Sequence, residues 1–404
     1  MKILFVANRI PYPPYRGDKL KIYNLAKRLC TNNELYLITF AETKLDLKYK
    51  AELENIFKTV KIIYLPKWKS YFNSFLAIFS DVSLQIAYFK SNKMKNTLED
   101  FVAKNKIDVI HTQHLRMAQF TSEIAIPRIL DLPDAFSLYW KRRIEKSSNF
   151  ILKIFQKIEF NRIYKYEKHI LSKFNLGLVC SKEDLNYLKY EHKSNNVAIL
   201  RNGVDLELYG NTIHNYGIDN VLLFTGNMNY APNVDAVVYF TKEIFPLVLK
   251  IKSDVIFVIA GQKPVKQVRN LACSNIVVTG FVKNLGEYYS KAAVVVSSLR
   301  FGAGTQNKVI EAMAMGIPVV CTNVGFEGLE IENGMGAFME TDPQLFAAKI
   351  IELLDSKMQR ETCGIKGKEI ATSKFNWDII ATQLEKYCQS LTKDDKTLEN
   401  DNNN

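Results

Sequence analysis

Short runs of uninterrupted apolar residues alternate along this chain with amphipathic stretches. In the first half the runs are KILFVAN, ELYLITF, VKIIYL, DVIHT, RILDL, LGLVC and VAIL; in the second they are VLLFTG, VIFVIAG, IVVTGF, VVVSS and PVVCT. Between them lie segments of helical periodicity, such as those from about Asp18 to Cys30, 234–250 and 307–315. Continuous β-branched runs are what strands need when both faces of a sheet are covered, and strand–helix alternation builds parallel βαβ units. The rhythm pauses at LRNGVDLELYGNTIHNYGIDN, where Gly203, Gly210, Gly217 and several asparagines interrupt it. The pattern predicts an α/β chain of two Rossmann-like domains facing each other across a cleft. The first is expected over 1–210 and the second over 211–377. A helix at about 378–391 is expected to pack back on the first domain, and the polar stretch 392–404 to be disordered.

One stretch departs from this rhythm. Residues 140–174 are long, helical in character and dense in Lys, Arg, Phe, Ile and Tyr, and KWKSYFNSFLAIF at 67–79 has the same flavour. Such a segment serves either as a solvated helix pair or as a basic amphipathic element resting on anionic lipid. The chain has 404 residues, 54 Lys and Arg against 42 Asp and Glu, and a net charge of +12. That balance favours anionic partners without choosing among them. The six cysteines, Cys30, Cys180, Cys273, Cys321, Cys363 and Cys388, stand singly, which argues against a zinc site or a disulfide scaffold and for a reducing cytoplasm. MKILFVANRIPYPPYRGDK reads as a first strand rather than a signal peptide, and no run of eighteen apolar residues spans a bilayer.

Candidate chemistry concentrates in RFGAGTQNKVIEAMAMGIPVV, residues 300–320. The strand AVVVSS delivers its carboxyl end into a loop with Gly302, Ala303, Gly304 and Thr305, just before a helix opens near Gln306. A main chain without bulky side chains at a helix N-terminus suits an anion such as phosphate. Carboxyl ends of parallel strands are also where open α/β sheets bind ligands. Glu311 lies about one and a half turns into the helix, where a carboxylate can accept hydrogen bonds from sugar hydroxyls. Arg300 and Lys308 flank the loop as candidate cations for a diphosphate. In the first half His111 follows IDVI and is expected at a strand end pointing into the cleft. Gln113 and His114 follow it, and Asp134 in LDLPDAFS is a candidate to face an acceptor or simply a turn residue. Gly17 and Asp18 open the first long helix, giving backbone access and an N-cap.

The segment GTQNKVIEAMAMGIPVVCTNVGFEGL resembles the donor-binding segment of family-4, group 1, retaining glycosyltransferases of the two-domain GT-B fold. ILRNGVDLELY resembles that family's hinge segment, DVIHTQH its strand ending in histidine, and Gly17 sits where the family has its N-terminal glycine loop. The resemblance covers most of the chain. It implies a metal-independent hexosyltransferase that uses a nucleotide sugar, UDP- or GDP-linked, as donor substrate and needs no further cofactor. Gly226, Asn227, the 302–305 loop, Glu327 and Gly328 would approach the donor, and His111 or its neighbours would contact the transferred sugar. Two departures stand out. The family commonly carries two glutamates seven residues apart, whereas here the first is Ala303 and only Glu311 remains; and the usual Arg and Lys after the first glycine of the second domain are replaced by Asn227 and Asn229. These changes resemble a subgroup associated with bacterial surface-polysaccharide assembly. The implied acceptor is a glycan or lipid-linked glycan, handled in the cytoplasm or peripherally at the inner face of the membrane.

Other classes fit less well. A dinucleotide-dependent oxidoreductase needs G-x-G-x-x-G after the first strand, where this chain reads NRIPYPPYRGD. Nucleic-acid binding rests on charge alone, without interleaved aromatic and basic motifs. A noncatalytic protein that binds a nucleotide sugar or glycan on the same fold remains the alternative, because Ala303 and the missing cations would also mark lost chemistry.

Overall fold

A computed structural model describes residues 1–401 apart from Arg16, Ser148, 211–213 and Asp219. The chain forms two compact units, one of Met1–Arg201 with the C-terminal segment from Trp377, the other of Asn202–Asn376. The division therefore lies at Arg201, nine residues before the expected boundary, which abuts 211–213 outside the described residues.

In the first unit seven strands make one parallel sheet: β1 (Lys2–Ala7), β2 (Glu34–Ala41), β3 (Thr59–Tyr64), β4 (Val109–Gln113), β5 (Arg128–Asp131), β6 (Leu176–Val179) and β7 (Val197–Ile199). Their order is β3-β2-β1-β4-β5-β6-β7. The second unit has six strands: β8 (Val221–Thr225), β9 (Ile256–Ala260), β10 (Ile276–Gly280), β11 (Val294–Ser297), β12 (Val319–Cys321) and β13 (Ala337–Met339), in the order β10-β9-β8-β11-β12-β13. Both sheets reverse direction of winding beside their first strand, between β1 and β4 and between β8 and β11. Such a switch point opens a crevice at the carboxyl edge of an α/β sheet.

Continuous apolar runs explain why the sheets are covered on both faces. Ile3 to Ala7 and Val294 to Val296 are fully buried, so every side chain of these strands meets a helix layer. The helix Trp377–Asp401 closes the first unit, where Trp377, Ile380, Leu384 and Cys388 enter the same core as Ile3, Phe5 and Leu25. Arg28 Nε donates to Asp378 Oδ1 at 2.6 Å and Asn33 Nδ2 to Glu385 Oε1 at 2.7 Å, tying it to the helix Gly17–Leu29 and to the turn that follows. The helix runs from Trp377 to Asp401, and 402–404 lie outside the described residues.

Candidate functional site

The carboxyl edge of the second sheet gathers the residues that the sequence singled out. The loop Arg300–Gln306 leaves β11 and enters the helix Asn307–Ala314, with Gly302 at φ 151° and Gly304 at φ 74°. At 304 the main chain is left-handed, a conformation that costs glycine little and a side chain much. The helix buries Val309, Ile310, Ala312 and Met313 in the core, and that anchoring fixes Lys308 and Glu311 beside the loop.

Lys308 is 7 % exposed. Its Nζ donates to Asn233 Oδ1 at 3.2 Å and to Gln306 Oε1 at 3.4 Å, and it lies 5.0 Å from the ring centre of Phe224. All three partners are neutral, and among the described residues no carboxylate forms an ion pair with it. Burial pulls the ammonium down to about 8, with Glu311 opposing the fall. Glu311 in turn is raised by burial, against the opposing effects of a hydrogen bond from Tyr289 and the charge of Lys308. Tyr289 Oη donates to Glu311 Oε2 at 2.9 Å and shares a 2.8 Å hydrogen bond with Thr225 Oγ1, so the carboxylate is held from the end of β8.

Gly226 and Asn227 follow β8 directly. A Cβ at Gly226 would stand 2.6 Å from Asn233 Nδ2, so the missing side chain there leaves room for the asparagine that holds Lys308. Asn233 Nδ2 donates to the Asn227 carbonyl at 3.1 Å, while Asn227 Oδ1 is buried and has no hydrogen-bond partner. A buried polar atom without a partner is costly unless a ligand or water meets it. The glycine loop, Gly226, Asn227, Lys308 and Glu311 thus surround one corner of the sheet. Arg300 departs from the expectation. Its guanidinium forms a two-pronged pair with Asp235, with Nε at 2.9 Å from Oδ2, and its Cζ stacks 4.7 Å over Tyr239. The charge is committed to the helix Ala231–Tyr239 rather than to the loop. Sequence reading passed over Asn233 and Tyr289: the first reads as an ordinary residue after Pro232 in a helix's first turn, and the second carries no local signal.

In the first unit the outcome is mixed. His111 is fully buried, because β4 continues two residues beyond it to Gln113 and leaves the ring within the sheet, 4.8 Å from Phe5. Its Nε2 is 3.3 Å from Asp131 Oδ2, and Asp131 Oδ1 pairs with Lys21 Nζ at 2.6 Å. Burial would raise the Asp131 carboxyl, but Lys21 and His111 outweigh it and hold it below its ordinary value. His111 is therefore a core residue beside the Lys21–Asp131 ion pair rather than at the strand end, with neither ring nitrogen in a well-formed hydrogen bond among the described residues. The strand end belongs to Gln113, which donates to the Asp18 carbonyl at 2.6 Å, and to His114 at φ 76°. Burial and the neighbouring Arg116 hold His114 well below the ordinary histidine value, leaving a neutral ring. Asp134 is half-buried, and burial next to Asp184 and Glu167 pushes it up to about 8. Gly17 begins the first long helix as expected, with Asp18 paired to Arg9 at 2.7 Å. Asn8, just after β1, was missed; it is buried, and neither of its amide atoms has a hydrogen-bond partner among the described residues.

Against this geometry, residues 219–356 match the model of the family described as Glycosyl transferases group 1. An uncharacterized glycosyltransferase of Methanocaldococcus jannaschii is 25% identical over 97% of this chain and 99% of its own. The capsular polysaccharide biosynthesis glycosyltransferase CapM of Staphylococcus aureus is 32% identical over 30% of this chain and 32% of its own. Among solved structures, HepE of Anabaena in complex with UDP superposes with a TM-score of 0.70 at 15% identity, over 96% of this chain and 100% of that one. Residues 219–356 of the second unit thus resemble a group 1 glycosyltransferase domain, and the two parallel sheets have the arrangement of the GT-B fold.

Proposed function

We propose that this chain transfers a hexosyl group, with retention, from a UDP- or GDP-linked sugar to a glycan or lipid-linked glycan in cell-surface polysaccharide assembly. The observation that carries the reading is the buried Lys308 ammonium, held by neutral partners beside the 302–305 loop and next to Glu311. A desolvated cation with no carboxylate partner is poised for an anion supplied from outside. In glycosyl transfer, negative charge grows on the departing diphosphate as the bond to the anomeric carbon breaks, and a preorganised cation and loop amides lower that barrier. Lys308 takes this role in place of the absent Arg and Lys pair, and no divalent ion is required. Glu311, aimed by Tyr289, accepts hydrogen bonds from donor hydroxyls. In the first unit Asp134 and the neutral His114 serve the acceptor, with Asn8 at the same edge.

The names of the relatives support this reading: CapM is a capsular polysaccharide biosynthesis glycosyltransferase, and HepE was solved with UDP. The test is a thermal-shift screen with UDP-, GDP-, ADP- and TDP-sugars in the presence of EDTA, followed by assay of donor hydrolysis and transfer. A ligand present at a hundredfold excess over Kd raises native stability by about 2.7 kcal/mol. One nucleotide class that stabilises the protein and is hydrolysed without metal supports the proposal. Stabilisation without turnover on any acceptor favours a noncatalytic binder, and no stabilisation by any of them overturns the proposal.

A further inference from the structure

One helix of the first unit, and the first half of another, are built inside out. In the helix Lys67–Ala77 the buried residues are Ser70 and Ala77, while Trp68, Tyr71, Phe72, Phe75 and Leu76 are exposed, Trp68 by 71 %. The first half of the helix Phe150–Leu171 buries Gln156 and Glu159 and exposes Phe150, Ile151, Ile154, Phe155 and Ile158, whereas its second half turns Ile163, Ile170 and Leu171 into the core together with Glu167. Buried hydrogen bonds make this inversion stable. Glu159 accepts from Ser83 Oγ at 2.6 Å and from the main-chain N–H groups of Leu84 and Gln85 at 3.2 Å, capping the short helix Leu84–Ala87. Arg162 Nη2 donates to the Ile78 carbonyl at 3.1 Å, and Ser74 Oγ to the Leu84 carbonyl at 3.2 Å. The polar sides of both helices therefore bond to the same stretch, residues 78–85, and their apolar residues are left exposed.

We infer that this double face inserts into the headgroup region of an anionic lipid bilayer and holds the protein there reversibly. The charge pattern selects that occupant. Lys67 and Lys69 sit among the aromatic residues of the first helix, and Lys153 and Lys157 among the apolar residues of the second, with Asp81 and Glu145 the nearby exposed acids. Aromatic and aliphatic side chains interleaved with lysines are the composition of an interfacial helix, where the apolar body enters the acyl boundary and the ammonium groups meet lipid phosphates. A face built for a second protein copy would instead be depleted in lysine. No helix among the described residues is long and apolar enough to cross a membrane, so the attachment is in the plane of the surface. The inference stands apart from the donor-site reading, since it uses none of those residues.

Trp68 provides a built-in reporter, because the other two tryptophans, Trp140 and Trp377, are buried. The full chain is mixed with vesicles of phosphatidylcholine alone or with one part in three phosphatidylglycerol, at low and high salt. Its fluorescence and its co-sedimentation are then measured. The expected result is a blue shift and pelleting with the anionic vesicles at low salt, both reduced in 1 M salt, where the screening length falls to about 3 Å. Trp68→Phe abolishes the shift but retains pelleting. The double change Phe72→Ser and Phe75→Ser, at exposed positions, leaves the melting temperature unchanged and lowers vesicle affinity about tenfold or more. Wild-type protein that stays in the supernatant with anionic vesicles at low salt overturns the inference, and sedimentation velocity showing a dimer dissociated by the Phe72 and Phe75 changes assigns the face to a second copy instead.

Discussion

Each of the two units buries a lysine near the carboxyl edge of its parallel sheet, and the two lysines are treated in opposite ways. Lys21 meets Asp131 at 2.6 Å and the Leu200 carbonyl at 3.2 Å, so its charge is closed by a carboxylate. Lys308 meets two amide oxygens and an aromatic ring. A buried charge without an ion-pair partner weakens the fold, and burial registers that cost by pulling Lys308 down to about 8, a fall that the charge of Glu311 offsets only in part. A closed pair maintains structure, whereas an open site reserves its charge for a ligand. The same contrast separates the histidine that looked catalytic in the sequence from the lysine proposed for the part.

Breaking the closed pair gives the largest effect. Lys21→Met leaves Asp131 buried and without its main partner, and is expected to lower stability by roughly 3 to 5 kcal/mol, read by urea or thermal unfolding. Lys308→Met has the opposite sign. A lysine whose folded value lies below its unfolded one penalises the native state fully below pH 8, and the penalty fades as pH climbs toward the ordinary lysine value. The substitution is therefore expected to leave the melting temperature without ligand at or above that of the wild type at pH 7, with the difference shrinking above pH 8. A fall in melting temperature at pH 7 would mean that Lys308 is structural after all.

Smaller effects sharpen the open site. Glu311→Ala should weaken donor affinity by about 1.5 to 3 kcal/mol, the range for hydrogen bonds to a charged group, as read by calorimetric titration. Gly226→Ala places a methyl group 2.6 Å from Asn233 Nδ2 at a φ of 155°, and is expected to cost about 1 to 3 kcal/mol in stability while reducing donor affinity through the displaced asparagine. Arg300→Met removes an exposed pair with Asp235 and should change stability by less than about 1 kcal/mol and turnover by only a few-fold. A loss of turnover comparable to that of Lys308→Met would return Arg300 to the diphosphate.

What the sequence disclosed follows from what is local. The apolar runs marked the strands, since burial on both faces leaves no other pattern, and 300–320 displayed its loop, helix and glutamate within one short stretch. His111 was misjudged because nothing in IDVIHTQH tells where the strand stops. The ladder extends to Gln113 because the Ile110–Gln113 segment pairs with Arg128–Asp131, a partner that lies downstream in the chain. Tyr289, Asn233 and the pairing of Arg300 with Asp235 come from residues distant in sequence and adjacent only after folding. The inside-out helical segments were visible as odd composition, but the buried Glu159 that stabilises them was not.

The central claim is that Lys308 holds the diphosphate of the donor, and the most direct test is calorimetric titration of UDP and GDP into the wild type and Lys308→Met at pH 7 and pH 9. The account predicts that one of the two nucleotides binds the wild type, that its affinity falls between pH 7 and pH 9 as the ammonium loses its proton, and that Lys308→Met binds at least about tenfold more weakly at pH 7, some 1.4 kcal/mol, with little dependence on pH. Equal affinity of the two proteins at pH 7, with the melting temperature of Lys308→Met at or above the wild type, would contradict it.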